Sequence, residues 1–209
     1  MSELTARPID WIKVLTDESR LTDVIATDAL VRKVGLSRAS VRKALFRLEK
    51  RNLVSRITEG VYVNRLVRDY SPQDFVAILK PDSYISLETA LNHWGLSTQS
   101  PAALTCVTTA KPNEYRTPIF SIVFRKISKR LFWGFVEKQT RYAKYRIAEP
   151  EKAVLDWIYL SLQLGLKPAL DEIDFKRSDK QKLAEYARKF PGSVRRVLAD
   201  SLAFQHFAA

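Results

Sequence analysis

The chain has 209 residues, 46% hydrophobic and 28% charged, a balance that can bury a core, and a length that suits one large domain or, as expected here, two small ones. No run approaches the ~20 apolar residues of a membrane span, and the polar opening Met1-Ser-Glu-Leu lacks the basic and apolar regions of a secretory leader, so a cytoplasmic protein with no membrane partner is expected. A net charge of +12 suggests a polyanionic partner, but only if the charge is concentrated in places. In chain order, the segment IDWIKVLTD predicts a short amphipathic helix with Ile9, Ile12 and Leu15 inside and Trp11 and Val14 widening the face. TDALVRKVGLS predicts a second helix, capped by Thr27, with Leu30, Val31 and Val34 inward. Gly35 stands where a helix ends in a left-handed residue, and Leu36 is expected to anchor the turn. SRASVRKALFRLEKRN predicts a third helix with Ser37 as cap and Val41, Ala44, Leu45 and Leu48 at i, i+3, i+4, i+7. Strands at Val54–Ile57 and Val61–Val63, joined by Thr58-Glu59-Gly60, complete a winged helix-turn-helix over residues 1–70.

The remainder, 71–209, reads as an α+β domain. SPQDFVAILK predicts a helix with Ser71 as cap and Pro72 at its first position. A further helix runs from about Ser86 to Trp94 and stops at Gly95. Three strands follow, in ALTCVTT, in RTPIFSIVFRKI after Pro118 and in RYAKYRI, with a helical or irregular turn at SKRLFWGF. AEPEKAVLDWIYL opens a helix at Pro150 with Val154, Leu155, Ile158 and Tyr159 inward. SDKQKLAEYARKF and SVRRVLADSLAFQHF give two more, the last capped by Ser193.

Net charge by segment is +5 over 1–70, −2 over 71–110, +8 over 111–146 and +1 over 147–209. The positive charge therefore lies in two islands. On the third helix, stepping 100° per residue from Val41 puts Ala39, Lys43, Phe46 and Lys50 opposite the core, flanked by Ser40, Arg42 and Arg47. This face is expected to enter the major groove of double-stranded DNA. Arg38 and Ser40 would meet base edges, Arg42 and Lys43 bases or phosphates, and Ser37 with the helix N-terminus a phosphate. Arg47 flanks that face. Arg56, with Arg65 and Arg68, can follow a phosphate backbone or minor groove, or simply be solvated. Phe46 has no assigned role. The second island, Lys111, Arg116, Arg125, Lys126, Lys129, Arg130, Arg141, Lys144 and Arg146, interleaves with Tyr115, Phe120, Tyr142 and Tyr145. It is either a second nucleic-acid or partner surface, or a solvated edge over core aromatics.

The segments ATDALVRKVGLSRASVRKALFRLEKRNLVSRITEGVYV, YISLETALNHWGL, RTPIFSIVFRKI, LFWGF and RIAEPEKAVLDWIYL, in this order over residues 20–160, resemble the AbiEi-type antitoxins of bacterial type IV toxin–antitoxin and phage abortive-infection systems. The resemblance implies a non-enzymatic DNA-binding autorepressor whose second domain counteracts a nucleotidyltransferase-like toxin encoded beside it. A generic winged-helix regulator without a toxin is the nearest alternative.

Enzymatic readings have less to stand on. Asp82 and Asp174-Phe175-Lys176 have the residue types of a metal-dependent nuclease, but 92 residues apart, a spacing that a loop aspartate and a solvated pair explain as well. One cysteine and two histidines leave no disulfide and no zinc cluster, and both His93 and His206 read as structural. Cys106 reads as a buried small hydrophobe. With six glycines and no phosphate loop, no cofactor is expected.

Overall fold

The computed structural model describes residues 9–17, 24–66, 71–117, 120–141 and 143–207. Among them are eight α-helices and two β-sheets, a mixed α/β protein, and the chain divides into two units, Met1–Ser71 and Pro72–Ala209.

In the first unit, Asp10 opens α1 (Trp11–Thr16) by accepting the amides of Ile12 and Lys13 at 3.1 and 3.2 Å, which satisfies two of the helix's free donors. The buried arc centres on Trp11, between Leu15 and Val14. Ile12, expected inside, lies roughly 100° from that centre and is 43% exposed. Strand β1 (Val24–Ala26), not foreseen from the sequence, pairs antiparallel with β3 (Val61–Asn64), Ile25 opposite Tyr62. It leads directly into α2 (Thr27–Val34). Thr27 is therefore not the cap. It is the first helical residue, and β1 turns its backbone toward the hairpin, where its amide and hydroxyl both donate to the Gly60 carbonyl, at 2.8 and 3.1 Å. Gly35 ends α2 with φ +68° and its amide on the Val31 carbonyl, a conformation glycine adopts without a Cβ penalty. Leu36, expected to anchor this turn, is exposed.

Helix α3 (Arg38–Lys50) starts on Ser37, whose Oγ accepts the Ser40 amide at 3.2 Å. Val41, Ala44, Leu45 and Leu48 are buried along one side, the i, i+3, i+4, i+7 stripe of an amphipathic helix. β2 (Val54–Thr58) returns along β3, so the sheet order is β1-β3-β2 and the turn is Glu59-Gly60, with Thr58 inside the strand. Buried Asn64 donates from Nδ2 to the Leu15 carbonyl at 2.8 Å and fastens α1 to β3.

The second unit opens with α4 (Gln73–Leu79), whose N-cap is Pro72 rather than Ser71. Its sheet has six strands where three are predicted: β4 (Ser83–Ile85), β5 (Leu104–Thr108), β6 (Asn113–Arg116), β7 (Ser121–Lys126), β8 (Phe135–Gln139) and β9 (Lys144–Ala148), in the order β6-β7-β5-β4-β9-β8. The sheet is mixed, since β4/β9 and β5/β7 are parallel. Alternation along each strand serves two layers. Ser83 lies in one cleft with Val76 and Ala77 of α4, while Tyr84 reaches across the other face to α6 (Pro150–Gln163). Helix α5 (Leu87–His93) packs on that second face, its Thr89 bonded to Thr105 of β5. Helix α7 (Lys180–Ala187) is capped by Asp179, and α8 (Gly192–Phe207) begins one residue before the expected cap Ser193.

Candidate nucleic-acid interface

The apolar stripe of α3 fixes which side chains face outward. Ser37, Arg38, Ala39, Ser40, Arg42, Lys43, Phe46, Arg47 and Lys50 are all exposed, and on a helical wheel they form two rows. Arg38, Arg42 and Phe46 form one row at i, i+4, i+8. Lys43, Arg47 and Arg51 form the other, along a groove of about 830 Å³ whose far wall includes Trp11, Gly35 and Leu36.

The two rows differ in their partners. Arg38 Nη1 lies 3.2 Å from Asp28 Oδ1 of α2, and Arg42 Nη2 lies 3.7 Å from Glu59 Oε1 in the hairpin turn. Among the described residues, Lys43 and Arg47 make no ion pair. The serines are occupied locally, since Ser40 Oγ shares a hydrogen bond with Ser37 Oγ at 2.9 Å while Ser37 caps the helix. Ser37 would have to share its cap to hold a phosphate. Arg56 is exposed on β2, with its amide on Glu49 Oε1 at 3.1 Å and its Nε on the Thr58 carbonyl at 3.3 Å. Phe46 is 56% exposed, with Lys50 Nζ 4.8 Å from its ring centroid. Arg68, Tyr142 and the side chain of His206 lie outside the described residues.

The second basic island is distributed over the six-stranded sheet of the other unit. Arg116, Arg125 and Lys126 belong to β6 and β7 at one edge, with Lys111 just before β6. Lys144 and Arg146 belong to β9 toward the other edge, with Arg141 in the preceding loop. β7 and β9 are three strand spacings apart, about 14 Å. Lys129 and Arg130 lie in the turn that leaves β7. Even neighbours diverge: Arg125 stands at the rim of a cleft over α5 and α6, and strand alternation sends Lys126 to the opposite face. Arg116 pairs with Glu114 at 2.6 Å and Lys144 with Glu137 at 3.0 Å. Arg146 covers the Phe135 ring.

The two aspartates of the nuclease reading are held in separate local roles. The backbone carbonyl of Asp82 accepts the Thr108 hydroxyl at 2.7 Å ahead of β4. Asp174 caps the turn Phe175–Arg177 through the Lys176 amide and lies 3.4 Å from Arg177 Nε. Among the described residues, no three His, Cys, Asp or Glu side chains gather as a metal site. Cys106 is fully buried in β5, and burial pushes its thiol up. His93 stands edge-on to Trp94 with centroids 4.8 Å apart. Burial and the nearby Lys138 charge lower its pKa.

One cluster escaped sequence reading altogether. Lys152 and Asp156, four apart on α6, form an ion pair with no solvent exposure on either side chain. Lys152 donates to the Tyr84 hydroxyl at 2.8 Å, and Tyr84 and Ser86 each donate to Asp156 Oδ2 at 2.9 Å. The rings of Tyr84, Trp133 and Phe190 stand 5.2 to 5.3 Å from Lys152 Nζ. Burial drives Lys152 downward and Asp156 upward in pKa, against their mutual attraction. A Cβ on Gly134 would stand 3.1 Å from Lys152 Cγ, so the lysine stem packs where a larger residue would crowd it. The sequence signal is the row Lys152, Leu155, Asp156, Tyr159, charges set at core spacing. The site is sealed and joins β4, α6 and the 133–135 segment.

No protein-family model matches this chain, and no curated protein matches it.

Proposed function

We propose that the protein is a sequence-specific DNA-binding repressor, built as an N-terminal winged helix-turn-helix followed by an α+β domain, and that it acts in the cytoplasm as an antitoxin against a nucleotidyltransferase-like toxin encoded nearby. The observation that carries the DNA reading is the exposed face of Arg38, Arg42, Lys43 and Arg47 on α3, opposite a fully buried apolar stripe and beside a short hairpin. Such a helix presents a fork of guanidinium donors suited to guanine O6 and N7 and to phosphates. Phe46, exposed on the same face, offers an apolar contact of the kind that meets a thymine methyl. The antitoxin role rests on the resemblance of the YISLETAL and RIAEPEKAVLD segments.

The test is selection of bound sequences from a random duplex pool by the full chain, followed by titration of the winner. Arg42→Ala is expected to weaken the selected duplex by about 1 to 3 kcal/mol and to relax preference at one base pair if the contact is bidentate to guanine. Enrichment of no sequence, together with unchanged titrations for Arg38→Ala and Arg42→Ala, rejects the reading. Growth rescue on co-expression with the neighbouring toxin tests the antitoxin role separately.

A further inference from the structure

Of the cations on the outer face of α3, the two that begin it are the two paired with a carboxylate among the described residues. Arg38 and Arg42 stand one turn apart. Asp28 meets the first from α2 and Glu59 meets the second from the hairpin turn, at 3.2 and 3.7 Å. All four side chains are more than half exposed, so these pairs add little to folding. We propose that Asp28 and Glu59 are specificity-determining residues of the DNA face, an inference that rests on the DNA-binding reading above.

A phosphate backbone attracts any accessible cation, and each cation that neutralises a phosphate releases counterions. An arginine already facing a carboxylate has less charge to offer, and the carboxylate itself repels the phosphates it approaches. Both effects weaken binding to arbitrary sequence. Guanine asks for something else, a guanidinium held in one orientation with a pair of N–H groups aimed at O6 and N7. A carboxylate that draws one guanidinium nitrogen to 3.2 or 3.7 Å biases the arginine toward one orientation and leaves its other donors for a base. Asp28 and Glu59 therefore penalise phosphate contacts while preorganising base contacts, which separates right from wrong partners by repulsion as well as attraction. Lys43 and Arg47, which face no such acid among the described residues, remain the backbone cations. Asp28 also lies in the first turn of α2, where a carboxylate suits the helix dipole, whereas Glu59 has no helix to support.

The experiment compares full-length wild type, Glu59→Gln and Asp28→Asn/Glu59→Gln on two duplexes of equal length, the sequence selected from a random pool and a scrambled one, over a range of salt. For the double variant, binding to the scrambled duplex should tighten about 10-fold near 0.1 M salt, and its salt slope should steepen by ~1 to 2. Binding to the selected duplex should stay level or weaken, so the specificity ratio falls at least about 10-fold. Glu59→Gln alone should move the same way by less. A specificity ratio within about two-fold of wild type overturns the inference, as does an equal gain on both duplexes, which is bulk electrostatics alone. A wild-type protein that cannot tell the selected from the scrambled duplex overturns the DNA reading and this inference together.

Discussion

Two kinds of ion pair divide this molecule. In the second unit, Lys152 and Asp156 are entirely buried: Lys152 meets Asp156 Oδ1 and the Tyr84 hydroxyl, and Tyr84 and Ser86 donate to Asp156 Oδ2. In the first unit, Arg38–Asp28 and Arg42–Glu59 stand in solvent. The chemistry is the same and the energetic meaning is opposite. A buried pair contributes little by existing, because desolvation offsets attraction, but removing one partner strands a charge and is severe. An exposed pair can lose either partner with little cost to the fold, so neither of its charges is committed to holding the structure. Charged residues in this chain thus sort by environment into those that hold the fold and those that face outward.

The sharpest test of that division is Lys152→Met. It leaves Asp156 buried with two hydroxyl donors and no counter-charge, and the expected loss is about 3 to 5 kcal/mol, read by denaturant unfolding on the fluorescence of Trp94, Trp133 and Trp157. Lys152→Met/Asp156→Leu should recover part of it, since only the Tyr84 and Ser86 hydroxyls then lack partners. A loss no larger than that of an exposed pair would erase the distinction.

A smaller effect belongs to an intermediate case. Glu149 precedes α6, accepting Lys182 Nζ at 2.8 Å and the Tyr186 hydroxyl at 2.6 Å. Burial raises its pKa, but these two hydrogen bonds and the Lys182 charge outweigh it, so the folded value lies below the ordinary 4.5. Its stabilisation is therefore fully present above that value and is lost as pH falls through the folded pKa. Tyr186, pushed up to about 12 by burial and by its bond to Glu149, works on the alkaline side, losing its contribution as pH rises past the ordinary 10. Thermal melts against pH should show both limbs, and Lys182→Ala should flatten the acid one.

The smallest expected effect is Arg42→Ala on the fold itself. Its change in unfolding free energy should stay within about 0.5 kcal/mol, even where DNA titrations respond. A loss above ~1 kcal/mol would mean that the Arg42–Glu59 contact is structural.

How far the sequence foretold these elements depends on periodicity and on edges. The stripe Val41, Ala44, Leu45, Leu48, the Gly35 stop and the start of α6 at Pro150 were legible because each states its geometry in local residue spacing. Strands β1 and β4 were not, since three residues are too few to show alternation. β6 and β8 are the edges of their sheet. The sequence Asn113-Glu-Tyr-Arg is mostly exposed and polar, as edges often are, and its strand character comes from pairing with β7. The outer face of α3 followed from a helical wheel, but its acids did not. Asp28 and Glu59 are distant in sequence from the arginines they meet, and only the packing of α2 and the hairpin around α3 brings them together. The spread of the second basic island likewise depends on strand order, because a crossover carries Lys144 and Arg146 past two intervening strands.

The two hydrogen bonds from Thr27 to the Gly60 carbonyl bear on the entropy of the hairpin tip. The tip of a free hairpin samples many conformations, and freezing each residue on binding costs about 1 to 2 kcal/mol in entropy. Here β1 zips one side of β3 while Thr27 clasps the tip, so that freedom is surrendered during folding. A duplex bound across α3 and the hairpin, as proposed above, would meet a surface already set and retain more of its contact energy as affinity.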